Sequence, residues 1–171
     1  TLVFEMRYPD ADGDGFGVEE NGEWRCDSPL NQVTRSGDCN DNNANINPAA
    51  VEICDGDIDN DCNGKSDDLD PNLDLNGQSN WWLDDDGDGF GEIGDPIASC
   101  AAPLGYAAVS NDCFDRGSLF GVAAKDIHPN AAEVCDSVDN DCDELIDDMD
   151  DSLDQEMAPR FYADLDNDGY G

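Results

Sequence analysis

The sequence predicts a small, irregular, mostly coil fold: tandem repeats stapled by disulfides, with short β-hairpin pieces and single helical turns. Three observations lead to it. The chain repeats itself, its charge is too negative for an ordinary apolar core, and its cysteines recur at matched spacings.

The repetition comes first, because a fixed long period defines the architecture before any local element does. Asp10 aligns with Asp84 and then with Asp164. Cys26 aligns with Cys100 and Cys39 with Cys113, both displaced by 74 residues, while Cys54 aligns with Cys135 at 81 and Cys62 with Cys142 at 80. The change of displacement locates an insertion around RGSLFGVAAK (116–125) and a one-residue deletion between CDGDIDNDC (54–62) and CDSVDNDC (135–142). The expected organisation is a first repeat over 4–80, a second over 81–160 and the opening of a third at 161–171, with DPNLDLNGQSN (70–80) as a polar connector. Units this small do not build a large core, so they need staples.

The charge explains what the staples accompany. The 171 residues hold 43 Asp and Glu against 7 Lys and Arg, a formal charge of −36. That balance alone describes a disordered chain, yet 8 Cys, 3 Trp, 4 Tyr and 6 Phe are present, which a solvating acidic tail does not need. Inorganic cations are the natural neutralising partner. With no basic patch, nucleic acid and anionic membrane are not expected partners, and no apolar run approaches the ~18 residues of a membrane span. No secretory leader is visible, so the stretch reads as a mature chain or an excised piece. An even cysteine count in a chain with little apolar core points to an oxidising compartment, hence a secreted or cell-surface protein.

The carboxylates are spaced as ligands. In a calcium loop, oxygens at positions 1, 3, 5, 7 (a backbone carbonyl), 9 and 12 converge on one ion, with Gly at 6 for the sharp turn. The first loop of repeat 1 has Asp10, Asp12, Asp14, Gly15 and the Phe16 carbonyl, with Asn21 as a weak closer and Glu19 or Glu20 assisting. Its counterpart has Asp84, Asp86, Asp88, Gly89 and the Phe90 carbonyl, then Glu92 and Asp95. The aromatic at position 7 (Phe16, Phe90, Tyr170) is expected to pack inward while its carbonyl faces the ion. The second loop, DNNANINPAAVE (41–52), offers Asp41, Asn43, Asn45, the Asn47 carbonyl and Glu52. Helical turns are expected near Pro48 and Pro129, the first presenting Glu52. In repeat 2 the insertion falls inside this loop; Asp126, the His128 carbonyl and Glu133 remain, with Asp115 returning as first ligand if the insertion bulges outward. The third loop offers Asp59, Asp61, Asn63, the Lys65 carbonyl, Asp67 and Asp70, and its counterpart Asp139, Asp141, Asp143, the Leu145 carbonyl, Asp147 and Asp150, with Glu144 in place of the glycine. No long amphipathic helices flank these loops, so several structural Ca²⁺ ions per chain are expected, held by hard oxygen ligands.

Four cysteines per repeat allow three pairings. Sequential pairing, Cys26–Cys39 and Cys54–Cys62 with Cys100–Cys113 and Cys135–Cys142, would tie each metal loop to the next, each short closure contributing roughly 2–3 kcal/mol in the chain-entropy model. A zinc site is the rival, but the tight Cys-x-x-Cys pairs of structural zinc sites are missing.

These residues resemble the bacterial MopE-type metal-binding repeat family. Its pattern, Asp-x-Asp-Gly-Asp-Gly-aromatic-Gly, Cys, Asp-Cys-Asp-Asp, Pro-x-Ala-x-Glu-x-Cys-Asp and Asp-Asn-Asp-Cys, is similar to residues 10–17, Cys26, 38–41, 48–55 and 59–62, and again to 84–91, Cys100, 112–115, 129–136 and 139–142. The resemblance covers nearly the whole chain and implies a tandem module of a large secreted or surface-attached protein. A looser likeness is to thrombospondin type 3 repeats, which wrap calcium with little secondary structure. The family's namesake is associated with copper; this chain has one His, His128, and 3 Met at scattered positions, so calcium is the expected ion.

No Gly-x-Ser-x-Gly, His-Glu-x-x-His or phosphate loop is present, and nothing points to the apolar cleft that raises one carboxyl of a glycosidase pair. A non-enzymatic role without small-molecule substrate is expected. The leading expectation is a calcium-rigidified rod in a surface fibre or stalk, contacting neighbouring copies or further repeats head-to-tail. The alternative is a calcium-dependent protein- or glycan-recognition module, with GSLFGVAA (117–124) as its apolar patch. Asp164, Asp166, Asp168 and the Tyr170 carbonyl open a third loop; either further repeats follow, or a second copy completes it through Glu5, with Val3 and Phe4 adding a short strand.

Overall fold

The structure, a computed structural model, describes residues 4–153, 160–166 and 168–169. Two compact units are present, Thr1–Ser79 with Ser99–Ala101, and Asn80–Ala98 with Ala102–Gly171. Among the described residues no element is longer than five residues. This follows from the sequence, which punctuates every apolar stretch with Gly, Asp or Asn and leaves no run for a cooperative helix.

In the first unit, β1 (Glu5–Pro9) is flanked on both sides by antiparallel partners, β2 (Glu23–Arg25) and β3 (Gln32–Val33), with Met6 opposite Trp24 and Tyr8 opposite Val33. The strand delivers the chain directly into the aspartates that begin at Asp10. On leaving them, Gly17 pairs in parallel with Ser36. In the second unit, β4 (Ser79–Leu83) lies between β6 (Ile97–Ser99) and β7 (Tyr106–Ala107), and β5 (Phe90–Glu92) runs parallel to β8 (Val109–Asp112). The inserted residues form a hairpin of β9 (Ser118–Leu119) and β10 (Val122–Ala123), with Leu119 opposite Val122.

The helical pieces are single 3₁₀ turns, at 19–21, 67–69, 75–77, 124–126 and 147–149. Those expected at Pro48 and Pro129 are instead reverse turns, closed by Ala50 N–H to the Asn47 carbonyl and Ala131 N–H to the His128 carbonyl. Each turn is anchored at its first residue, where the Asn47 and His128 amides donate to the carbonyls of Asn60 and Asn140.

The interior is inverted relative to an ordinary domain. The buried apolar side chains are Ile46, Ala107, Ala124, Ile127 and Val138, whereas the buried polar ones include Asp10, Asp38, Glu52, Asp70, Asp112, Asp115, Glu133 and Asp150. Buried carboxylates are costly unless paired or metal-bound.

The disulfides correct the sequential expectation. Cys39 bonds to Cys62 and Cys113 to Cys142, within their repeats; Cys54 bonds to Cys100, in the following repeat; and Cys26 and Cys135 are free and exposed. Cys54 and Cys62 each find their partner outside the segment between them. The turn after Cys54 is held by Asp67, which accepts the N–H groups of Asp55 and Asp57. Cys62, at a positive φ of 58°, lies 5.7 Å from Cys39, Cα to Cα.

Candidate metal centre

The first-loop aspartates share one construction in both repeats. Asp10 accepts the N–H groups of Gly13 and Gly15, one on each oxygen; Asp12 accepts that of Asp14, and Asp14 that of Phe16. Asp84 accepts from Gly87 and Gly89, Asp86 from Asp88, and Asp88 from Phe90. The glycines are required by the turn: Gly13 and Gly15 have φ of 84° and 95°, Gly87 and Gly89 81° and 97°, where a Cβ is strained. The amides thus occupy one oxygen of each position-3 and position-5 aspartate. The other oxygen, Oδ2 of Asp12, Asp14, Asp86 and Asp88, is buried with no hydrogen-bond partner.

The loops are closed from far along the chain. Asp12, Asp14 and Asp38 form one group, and Asp10, Asp12 and Asp41 another, with an oxygen from each member within 4.8 Å of the others; Asp84, Asp86 and Asp115 do the same in repeat 2. Asp41 also accepts the Ala11 N–H at 2.7 Å, and Asp115 the N–H of Asp85 at the same distance. Asp38, Asp112 and Asp115 each keep a buried, unpartnered Oδ2. Asp38 and Asp112 are therefore site residues that spacing within a single loop does not reveal; the repeated Asp-Cys-x-Asp at 38–41 and 112–115 was the available signal.

The expected local closers stand elsewhere. Glu19, Glu20 and Asn21 form an exposed 3₁₀ turn, and Asp95 is exposed. Glu92 faces the Arg116 guanidinium at 3.6 Å. Burial pushes the carboxyls of Asp38, Asp86 and Asp115 above their ordinary values, and neighbouring carboxylates add to this. Asp112, 2 % exposed, is pushed up to about 6, chiefly by burial, with Asp88, Asp115 and Asp86 reinforcing it against the Phe114 N–H.

The third loops repeat the first-loop construction. Asp59 accepts the N–H groups of Asn63 and Gly64, and Asp139 those of Asp143 and Glu144. Glu144 takes φ 74° where Gly64 has 89°, so the substitution keeps the loop shape at a cost in strain. Asn63 accepts from the Lys65 amide and Asp143 from that of Leu145. Glu52, Asp59 and Asp61 form a further group within 4.8 Å. Asp141 Oδ1 and Asp150 Oδ2 are buried and unpartnered, whereas Asp70 accepts the Asn63 side-chain amide.

The two acidic members of the second loop each stand in a different carboxylate group. Asp41 belongs to the first-loop group, and Glu52 to the third. Asn43 and Asn45 are exposed and hydrogen-bond to each other, and Asn47 accepts the Ala49 N–H. In repeat 2, Asp115 joins the first-loop group, Asp126 is exposed beside Lys125, and Glu133 bonds the amides of Asn140 and Asp147. Asp67 and Asp147, expected as ligands, hold the turns at 55–57 and at Ser137. In the third opening, Asp164 accepts the N–H groups of Asp168 and Gly169, the latter five residues on as in Asp10 and Asp84, and Asp166 is exposed; Tyr170 and Val3 lie outside the described residues. Glu5 bonds Arg7, and Phe4 stacks on Trp24 at 5.4 Å.

The donor set is hard oxygen. His128 stacks on Phe90 at 5.1 Å, and its Nδ1 accepts the Asn130 N–H. The group of Asp112, Cys113 and Cys142 contains a disulfide rather than thiolates. The orphaned carboxylate oxygens fit a metal ion.

Comparison with protein families agrees. Residues 38–68 and 123–148, about a third of the chain, match the Cu-binding MopE metal-binding motif. The match takes in Asp38 through Asp68 and, in repeat 2, the counterpart from Ala123 to Asp148; the first loops at 10–17 and 84–91 lie outside it. No curated protein and no solved structure matches the chain.

Proposed function

We propose that this chain, which carries two copies of the MopE-type metal-binding motif, is a non-enzymatic, calcium-rigidified repeat array of a secreted or cell-surface fibre or stalk. The observation that carries the reading is the set of buried aspartate oxygens without hydrogen-bond partners, those of Asp12, Asp14 and Asp38 being matched in repeat 2 by Asp86, Asp88 and Asp112. Such oxygens in one small interior repel each other and lose their hydration; a hard divalent cation reverses both penalties. Calcium suits the many carboxylates and the irregular loops better than magnesium, which demands a stricter octahedron and retains its waters. Copper finds no imidazole or thioether in these groups. Disulfides belong to oxidising compartments, and among the described residues no helix is long and apolar enough to cross a membrane.

The test is a calcium titration of chelator-stripped protein, followed by hydrodynamic radius and tryptophan emission. Compaction with site affinities on the order of 10⁻⁴ M or tighter is expected, with several ions per chain by elemental analysis. A radius indifferent to calcium, or compaction by copper alone, refutes the reading.

The recognition-module reading has one observation in its favour. Phe120, 82 % exposed, stands at the tip of the β9–β10 hairpin that repeat 1 lacks. Calcium-dependent binding to a glycan or protein array, abolished by Phe120→Ser, would favour it over the rod.

A further inference from the structure

The disulfide between Cys54 and Cys100 joins the third cysteine of one repeat to the first cysteine of the next. The two free cysteines are the remaining members of those same two classes. Cys26 lies sixteen residues beyond Asp10, as Cys100 lies sixteen beyond Asp84, and each directly follows a short strand, β2 or β6. Cys135 lies two residues beyond Glu133, as Cys54 lies two beyond Glu52. The turns that follow are pinned alike, by Asp67 at 55–57 and by Asp147 at Ser137.

A second contact accompanies the bond already made. Asp68 accepts the Cys100 N–H at 2.8 Å and the Ser99 hydroxyl at 2.6 Å. Its counterpart in repeat 2, Asp148, is exposed and accepts no hydrogen bond among the described residues. The chain therefore holds one completed junction and two half-junctions of opposite kind, in register with it.

We propose that Cys135 forms a disulfide with the Cys26-type cysteine of the next repeat unit, so that one covalent staple recurs at every repeat junction. The next unit is either a following repeat of the same polypeptide or a second copy of this chain. In the second case the Cys26 N–H meets Asp148, beside Arg25, which stands where Ser99 stands and is itself paired with Glu23 and Asp27. The bond forms by thiol–disulfide exchange with a small-molecule disulfide. Both S–H bonds are lost, one S–S bond forms between the cysteines, and the two electrons and two protons leave as two thiols from the cleaved reagent. The inference rests on the repeat-array reading above and supplies the link between its units.

The experiment incubates the full chain with calcium in a glutathione redox buffer, followed by non-reducing electrophoresis and peptide mapping. A ladder of reducible multimers joined Cys135 to Cys26 is expected. Cys26→Ser and Cys135→Ser proteins each fail to make the ladder, yet mixed together they give a heterodimer through the remaining pair. In the second arm, protein from its native source is alkylated before mapping. Linkage of Cys135 to a Cys26-type cysteine beyond residue 171 of the same polypeptide identifies a following repeat, and linkage to Cys26 of another molecule identifies a second copy; both support the staple. An intrachain Cys26–Cys135 bond, a dominant Cys135–Cys135 dimer, or recovery of both as free thiols from native material overturns it. Free thiols with calcium-dependent compaction remove the staple alone; a mapped staple with calcium-indifferent radius removes the calcium reading alone.

Discussion

Glu52 accepts the backbone N–H of Asn60 at 2.7 Å through one carboxylate oxygen, in a fully buried position, while its other oxygen accepts the N–H of Asp67 at 3.0 Å. Glu133 makes the same two bonds, to Asn140 and Asp147, at 2.8 Å each. One side chain thus fixes both ends of each third loop. Glu52→Gln replaces one acceptor by a donor facing an N–H, so it should destabilise the folded chain by about 1–3 kcal/mol. Glu133→Gln should do the same, and the denaturation midpoint reads both.

The distant closers should matter more than the local ones. Asp112→Ala removes a buried member of the repeat 2 carboxylate set, whereas Asp95→Ala alters an exposed side chain. The first should lower the metal stoichiometry by one ion or weaken one site at least tenfold; the second should leave both unchanged. Isothermal titration of the two variants decides it, and equal effects would return the closing role to the local loop.

The ion-free chain should respond to pH in the opposite sense to most proteins. Asp112 is raised to about 6, mainly by burial, and the Glu133, Asp38, Asp86 and Asp115 carboxyls are raised too. A carboxyl raised in the folded state binds more protons folded than unfolded, so its contribution is full below about 4 and is lost as pH climbs through its folded value. Chelated protein should therefore compact as pH falls from 7 toward 4. Metal binding competes with the same protons, so metal affinity should fall over that window. Radius against pH, with and without chelator, separates the two limbs.

Gly91 tests the seat of the loop against its neighbouring strand. A Cβ there would lie against the Trp82 Cβ and 2.9 Å from the Leu83 carbonyl oxygen, whereas at Gly94 it would meet nothing within 4 Å. Gly91→Ala should cost about 1–3 kcal/mol by overpacking, and Gly94→Ala should stay within about 0.5 kcal/mol. Thermal melts in calcium provide the comparison.

What the sequence disclosed follows the range of each interaction. Asp10, Asp12 and Asp14, or Asp59 and Asp61, act within one tight turn, so their alternation with Gly and Asn carries their geometry. The irregular coil with short strands was legible for the same reason, since Gly and Asp punctuate every apolar stretch. Asp38 and Asp112 escaped notice because they reach their loops through sheet pairing, here Gly17 with Ser36 and β5 with β8, and spacing does not encode such contacts. Asp41 and Glu52 look like two ends of one loop, yet they serve different groups. The Cys54–Cys100 bond was hidden because sequence spacing leaves disulfide connectivity combinatorial.

The insertion in repeat 2 has a practical meaning. Asp10 precedes Asp41 by 31 residues and Asp84 precedes Asp115 by the same 31, so the extra hairpin begins only after the first carboxylate group is complete, and it ends before Glu133 starts the next. The β9–β10 segment is a cassette position: peptides exchanged between Arg116 and Lys125 change what the repeat displays while the ligand spacing on either side stays constant.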